Sequence, residues 1–316
     1  MKMSRRFFIG LGLIFGLAAI VTADPAKELR IGYQKAASHL LLLRAHGTLE
    51  KQLAPRGIVV KWVEFPAGPQ LLEALNVSSI DFGYVGEAPP IFAQAAGADF
   101  VYVGYEDPSP QAEAILVPKN SALRSIADLK GKKIALNKGS NVHYLLVKAL
   151  EKAGLRYSDI QPVYLAPADA RAAFQQGSVD AWAIWDPFYS AAQTQLDARV
   201  LTDATNIVAN YLYFLAARSY AVQQPEVIKL IFDESLALGQ WIKGHYHEAA
   251  VQIAPLEGLD VAIVEQSLRH YALTAHPINN AILRDQQKVA DTFSDLKLIP
   301  KPLVVQEATV VAPNQQ

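Results

Sequence analysis

The stretch Ala74-Leu75-Asn76-Val77-Ser78-Ser79-Ile80-Asp81-Phe82-Gly83-Tyr84-Val85-Gly86-Glu87 is echoed further along the chain. There Ala173-Phe174-Gln175-Gln176-Gly177-Ser178-Val179-Asp180-Ala181-Trp182-Ala183-Ile184-Trp185-Asp186 follows the same plan. Each reads as the end of a helix, then Ser-(Ile or Val)-Asp, then an apolar strand, then a loop that opens a new helix with Pro close behind. A short apolar run bounded by turn residues and flanked by helical stretches marks an α/β unit. Its repetition predicts two half-similar α/β lobes. Facing lobes of this kind bring the two loops to a common cleft, and open α/β sheets bind ligands outside the carboxyl ends of their strands.

Working outward, the alternation continues on both sides. Leu29–Tyr33 reads as a strand, followed by a helix over about Ser38–Leu53 that Pro55 and Gly57 end; Ile58–Phe65 is the next strand and Gln70–Val77 a short helix. Ile80–Val85 and Phe100–Tyr105 extend the pattern, and Asp107-Pro108-Ser109-Pro110 breaks it with turn-forming residues. It restarts with strands at Glu113–Val117 and Lys133–Leu136 and a helix over Asn141–Ala153. Val163–Leu165 and Ala181–Ile184 read as strands around a helix over about Pro167–Gln176, and Tyr211–Ala217 is one more strand. Beyond Pro225 the chain turns helical almost to its end.

At 316 residues the chain is long enough for two cores. Lys plus Arg total 29 against 30 Asp plus Glu, so there is no basic field for nucleic acid. Lys2, Arg5 and Arg6 precede the apolar run Phe7–Ile20, and Val21-Thr22-Ala23 supplies small residues for cleavage, so residues 1–23 are expected to be a signal peptide. The run is short for a spanning helix, the competing reading. Ser4-Arg5-Arg6-Phe7-Phe8-Ile9 suggests a twin-arginine route, with Sec export as the alternative. With no cysteine for a disulfide or a lipid anchor, a soluble periplasmic protein is expected.

Three strand-to-helix junctions could offer backbone N–H groups to an anion: Gln34–His39, Gly86–Pro90 and Lys138–His143. A helix N-terminus carries about half a positive charge and leaves about four N–H groups unpaired, so it can hold an anionic group without a dedicated Arg. Ser38, Ser140 and Asn141 are good N-cap types, although a Gly-Ser before a helix is ordinarily only a cap. Glu87 sits awkwardly beside an anion. It points away, caps its own helix or receives an amine carried by the ligand. Trp185 either covers the apolar part of a ligand or packs in the core, and Asp186 reads as a helix cap.

Enzyme signatures are weak. There is no Gly-x-Ser-x-Gly elbow, no Gly-rich phosphate loop and no thiol. Ser140 and His143 lack a group to orient the His, and His245 and His247 do not share a helix face. No catalytic residue, metal site or cofactor is expected.

Trp62–Gln70, Pro89–Ala98, Pro167–Gly177 and Asp180–Pro187 resemble the periplasmic aliphatic-sulfonate-binding proteins of ABC importers, a resemblance that covers Leu29–Ala217 closely and the C-terminal helices loosely. It implies a two-lobed type II periplasmic-binding fold with two crossover hinge strands: residues 24–110 and 218–316 in the first lobe and 111–217 in the second, with crossings near Asp107–Ala112 and Tyr211–Ser219. It places the ligand at Gln34, Gly86, Glu87, Ala88, Gly139, Ser140, Asn141, Val142, Trp185 and Asp186, and the altered first junction adds His39. It also implies a monomer that delivers its ligand to an ABC permease in the inner membrane. Other branches of the fold take taurine, sulfate esters or nitrate, and a periplasmic enzyme is the more distant alternative.

Overall fold

Asp81 and Asp180, the acidic residues of the two echoed stretches, do the same job. Asp81 accepts the Arg30 N–H at 2.8 Å and returns its own N–H to the Arg30 carbonyl at 2.8 Å. Asp180 does this with Lys133, again at 2.8 Å in both directions. Each carboxylate therefore ties the start of the third strand of its lobe to the first strand. In both lobes the preceding helix ends on a left-handed residue, Ser78 at φ 55° and Gly177 at φ 70°. The next N–H then reaches back to the helix, Ser79 to Ala74 O and Ser178 to Ala173 O.

A computed structural model describes residues 27–310; the expected signal peptide over residues 1–23, with its expected export motif, lies outside the described residues. The chain opens with β1 (Lys27–Tyr33), α1 (Ser38–His46), α2 (Thr48–Leu53), β2 (Ile58–Glu64), α3 (Gly68–Asn76), β3 (Phe82–Gly86), α4 (Ala88–Ala95) and β4 (Phe100–Glu106). The helix expected over Ser38–Leu53 is split by Gly47, which adopts φ 61°. A first crossing leads to β5 (Glu113–Val117), β6 (Lys133–Leu136), α5 (Asn141–Lys152), β7 (Gln161–Tyr164), α6 (Pro167–Gln175), β8 (Ala181–Trp185), α7 (Phe188–Leu196) and β9 (Arg199–Asp203). The chain then returns through β10 (Leu212–Ala217), α8 (Arg218–Gln223), α9 (Pro225–Gly244), α10 (Tyr246–Glu257), α11 (Val261–His270), β11 (His276–Pro277) and α12 (Asn280–Asp295).

The sheet orders are β11-β4-β10-β3-β1-β2 and β7-β6-β8-β5-β9. Apart from the added β11, each runs second, first, third, inserted, fourth. In both, the inserted strand is the one that arrives after a crossing and lies antiparallel to its neighbours. This is the α/β two-lobed fold implied by the sequence, with one correction. β10 sits wholly in the first sheet between β3 and β4, so the second crossing is residues 204–211 rather than Tyr211–Ser219, and the second lobe ends before β10. The apolar pattern shows a strand there but not which sheet it joins.

The crossings run side by side. Asn210 N–Hδ donates to Ser109 O at 2.8 Å, Ser109 N to Asn210 O at 3.2 Å, and Ala204 N to Pro110 O at 3.1 Å. Lobe 2 has its own core around Trp182, Ile115 and Leu146, whereas α9, α10 and α12 pack on lobe 1. Among the described residues no helix is long and apolar enough to cross a membrane.

Candidate ligand-binding cleft

Gln34 follows β1 and Trp185 closes β8, so carboxyl strand ends of the two sheets put one residue each on the walls of a cleft. Between them lie two connected chambers that share both residues. The inner one is lined by Gln34, Gly86, Ser140, Asn141, Trp185 and Tyr271, with Tyr84, Leu212 and Gly68 also on its walls. It is narrow, with about 20 Å³ of free space. The outer chamber, of about 240 Å³, is bounded by Phe65, Pro66, Pro167, Phe188 and Trp185, with Lys35 and Glu64 also on its walls. Trp185 and Phe188 meet edge to face, their ring centroids 6.2 Å apart and their planes 84° to each other.

The inner lining carries neither Lys nor Arg. Its donors are neutral. The side chain of Gln34 gives one N–H to Tyr84 O at 3.1 Å, leaving the second. Asn141 likewise gives one to Asn210 Oδ1 at 2.8 Å. No side chain caps α5; the His143 N–H is spent on Ser140 O at 3.0 Å, so the Asn141 and Val142 N–H groups are the ones left for a ligand. Tyr84 and Tyr271 are walls rather than donors, since their hydroxyls are spent on Glu106 Oε2 at 2.6 Å and Asp186 O at 3.0 Å. Neutral donors at the inner end and aromatic rings and prolines at the outer end match a ligand with a small anionic head and an apolar remainder.

Gln34, Gly86, Ser140, Asn141 and Trp185 are thus brought together at one chamber. The other six candidates are not. His39, on α1, points into the core against Tyr84 at 4.8 Å and Phe214 at 5.5 Å, and burial pushes its imidazole down to about 3. Glu87 is buried at the crossing, where its Oε2 accepts the Tyr211 N–H at 3.2 Å; burial pushes its carboxyl up to about 8. It therefore faces the hinge and presents no charge to the cleft at neutral pH. Ala88 and Val142 are core residues. Gly139 faces the Phe92 ring, and its N–H is taken by His143 Nδ1 at 3.2 Å. Asp186 is fully buried, capping Ser190 N at 2.9 Å and meeting His270 Nδ1 at 2.6 Å.

The bland readings of the histidines also gain support. Ser140 Oγ donates to Asn137 O at 2.7 Å, not to His143. His245 contacts Trp241 O and His247 contacts Glu265, so the two do not converge. Sequence reasoning missed Tyr84, Leu212, Tyr271, Phe65, Pro66 and Phe188 as lining residues. Leu212 and Tyr271 arrive from the returning segment and carry no local signal. Phe65-Pro66 lie within, and Phe188 adjoins, stretches that carried the family resemblance, and their position beside strand ends was available.

Matched lobes, paired crossings and a cleft at the strand ends define a two-lobed solute-binding protein of the periplasmic-binding type. The chain belongs to the NMT1/THI5-like family, whose model matches residues 54–249. It is 48% identical over 301 residues to an aliphatic sulfonates-binding protein of Escherichia coli K12, covering 94% of this chain and 93% of that one. The alkanesulfonate-binding protein SsuA of Xanthomonas axonopodis pv. citri, solved bound to MOPS, superposes with a TM-score of 0.85 at 46% identity, covering 92% and 99% of the two chains. The periplasmic aliphatic sulphonate-binding protein SsuA of E. coli gives a TM-score of 0.83 at 47% identity, covering 92% and 94%.

Proposed function

We propose that the protein is a periplasmic receptor that captures an organosulfonate between its lobes and delivers it to an ABC importer, without chemical turnover. The observation that carries this reading is the two-chamber cleft. A sulfonate stays ionised at physiological pH and accepts charge-assisted hydrogen bonds, which the first turn of α5, Asn141 and Gln34 can donate in the inner chamber. The organic tail then lies along Trp185 into the outer chamber, against Phe65 and Phe188. The names of the close relatives point to the same ligand class. The protein acts as a monomer after its leader is removed.

Thermal unfolding of the ligand-stripped protein against methane-, butane- and octanesulfonate, taurine, sulfate and nitrate tests this. A ligand that binds only the native state raises the midpoint with the logarithm of its excess over Kd. The alkanesulfonates should raise it, more so as the tail lengthens into the outer chamber. A rise with taurine, sulfate or nitrate alone moves the function to another anion, and release of sulfite from any sulfonate overturns the non-enzymatic reading.

A further inference from the structure

Asp186 is a fully buried carboxylate in lobe 2, and among the described residues its one ionisable hydrogen-bond partner comes from the returning segment. His270, the last residue of α11, places Nδ1 2.6 Å from Asp186 Oδ2. Its ring stacks on Tyr189 of α7, with centroids 5.5 Å apart and planes 18° off parallel. The next residue, Tyr271, donates its hydroxyl to the Asp186 carbonyl at 3.0 Å. One turn earlier, Gln266 Nε2 donates to Gln193 Oε1 at 2.8 Å. Val264 and Leu268 on the other face of α11 are buried in the lobe 1 core. The helix is therefore rooted in one lobe and bonded to the other.

The bonded residues flank the cleft. Trp185 immediately precedes Asp186 and Tyr271 immediately follows His270, and both line the inner chamber from opposite lobes. We infer that His270 is a positioning residue for ligand capture: its bond to Asp186 latches α11 to lobe 2 and holds Trp185 and Tyr271 at the separation of the closed cleft. The inference rests on the reading that ligand is caught by lobe closure. Removing one partner of a buried pair leaves the other as an uncompensated polar group. That penalty falls on the closed form, because opening hydrates Asp186.

The test compares His270→Ala and His270→Gln with the wild-type protein, using butanesulfonate titrations and small-angle scattering with and without it. His270→Ala should raise Kd at least tenfold, mainly by faster release, and the liganded protein should scatter as a more open particle. The ligand-free unfolding midpoint should stay close to wild type. His270→Gln keeps an N–H donor and should recover part of the affinity, which a role confined to folding would not predict. A wild-type protein that binds while His270→Ala binds within twofold of it overturns the latch but not the function. A wild-type protein with no affinity for any sulfonate overturns the functional reading instead. The latch is then judged with whichever of taurine, sulfate or nitrate the wild type does bind, and a His270→Ala protein that binds that anion within twofold of wild type overturns it.

Discussion

Glu87 shows how burial changes the meaning of a single residue. Beside an anion site an ionised carboxylate is a liability, yet its Oε1 has no hydrogen-bond partner and its Oε2 only the Tyr211 N–H. Glu113 behind it is fully buried with neither oxygen bonded, and burial together with Glu87 pushes its carboxyl well up. Desolvation is the main cause for both. The sign of the effect on stability follows. Between the ordinary value of 4.5 and about 8, folded Glu87 holds a proton that the unfolded chain has released. Stability therefore falls as pH rises through that window and is unaffected by this group below it. Glu87→Gln keeps an oxygen for Tyr211 and removes the charge, so it should stabilise by on the order of 2 kcal/mol at pH 8 and by little at pH 4. Urea unfolding of both proteins at pH 4, 6 and 8 measures the difference; an equal offset at every pH would mean that Glu87 does not titrate in this window.

At the scale of elements, the two lobes solve the same turn with different residues. Gly177 takes its left-handed conformation without steric cost, whereas Ser78, exposed at φ 55°, carries a Cβ into it. Ser78→Gly should therefore stabilise the first lobe by about 1 kcal/mol, read as a higher urea midpoint at unchanged slope. No gain, or a loss, would show that the serine side chain offsets the strain. The same comparison explains what the sequence made legible. The pattern Ser-(Ile or Val)-Asp between a helix and an apolar strand is local, so the repeat, the α/β class and the strand ends at Gln34 and Trp185 could be read directly. Sheet membership of β10 could not, because pairing with β3 and β4 depends on contacts more than a hundred residues apart in the chain. His39 and Asp186 misled for a related reason. A helix start or strand end tells which residues are near the cleft, but not whether a given side chain turns toward it, toward the core or toward α11.

At the scale of the whole molecule the two walls of the cleft are in contact, and Gly86 is one place where they touch. A Cβ built on it would lie 1.8 Å from Asn141 Oδ1 and 2.2 Å from Asn141 Cγ. Gly86 has no left-handed backbone to accommodate; what it supplies is room for the opposite lobe. Asn141 cannot swing aside freely, since it is buried and bonded to Asn210 on the second crossing. Gly86→Ala should thus wedge the lobes apart at the base of the cleft. Overpacking of this kind typically costs about 1–3 kcal/mol, here borne by the closed form, so sulfonate affinity should fall by about 5- to 150-fold. Each lobe keeps its own core, so the ligand-free urea midpoint should change little. Scattering with saturating butanesulfonate should show the variant still expanded while the wild type contracts. If Gly86→Ala contracts as the wild type does and binds as tightly, Asn141 yields more readily than its bond to Asn210 implies, and closure does not depend on the Gly86–Asn141 approach.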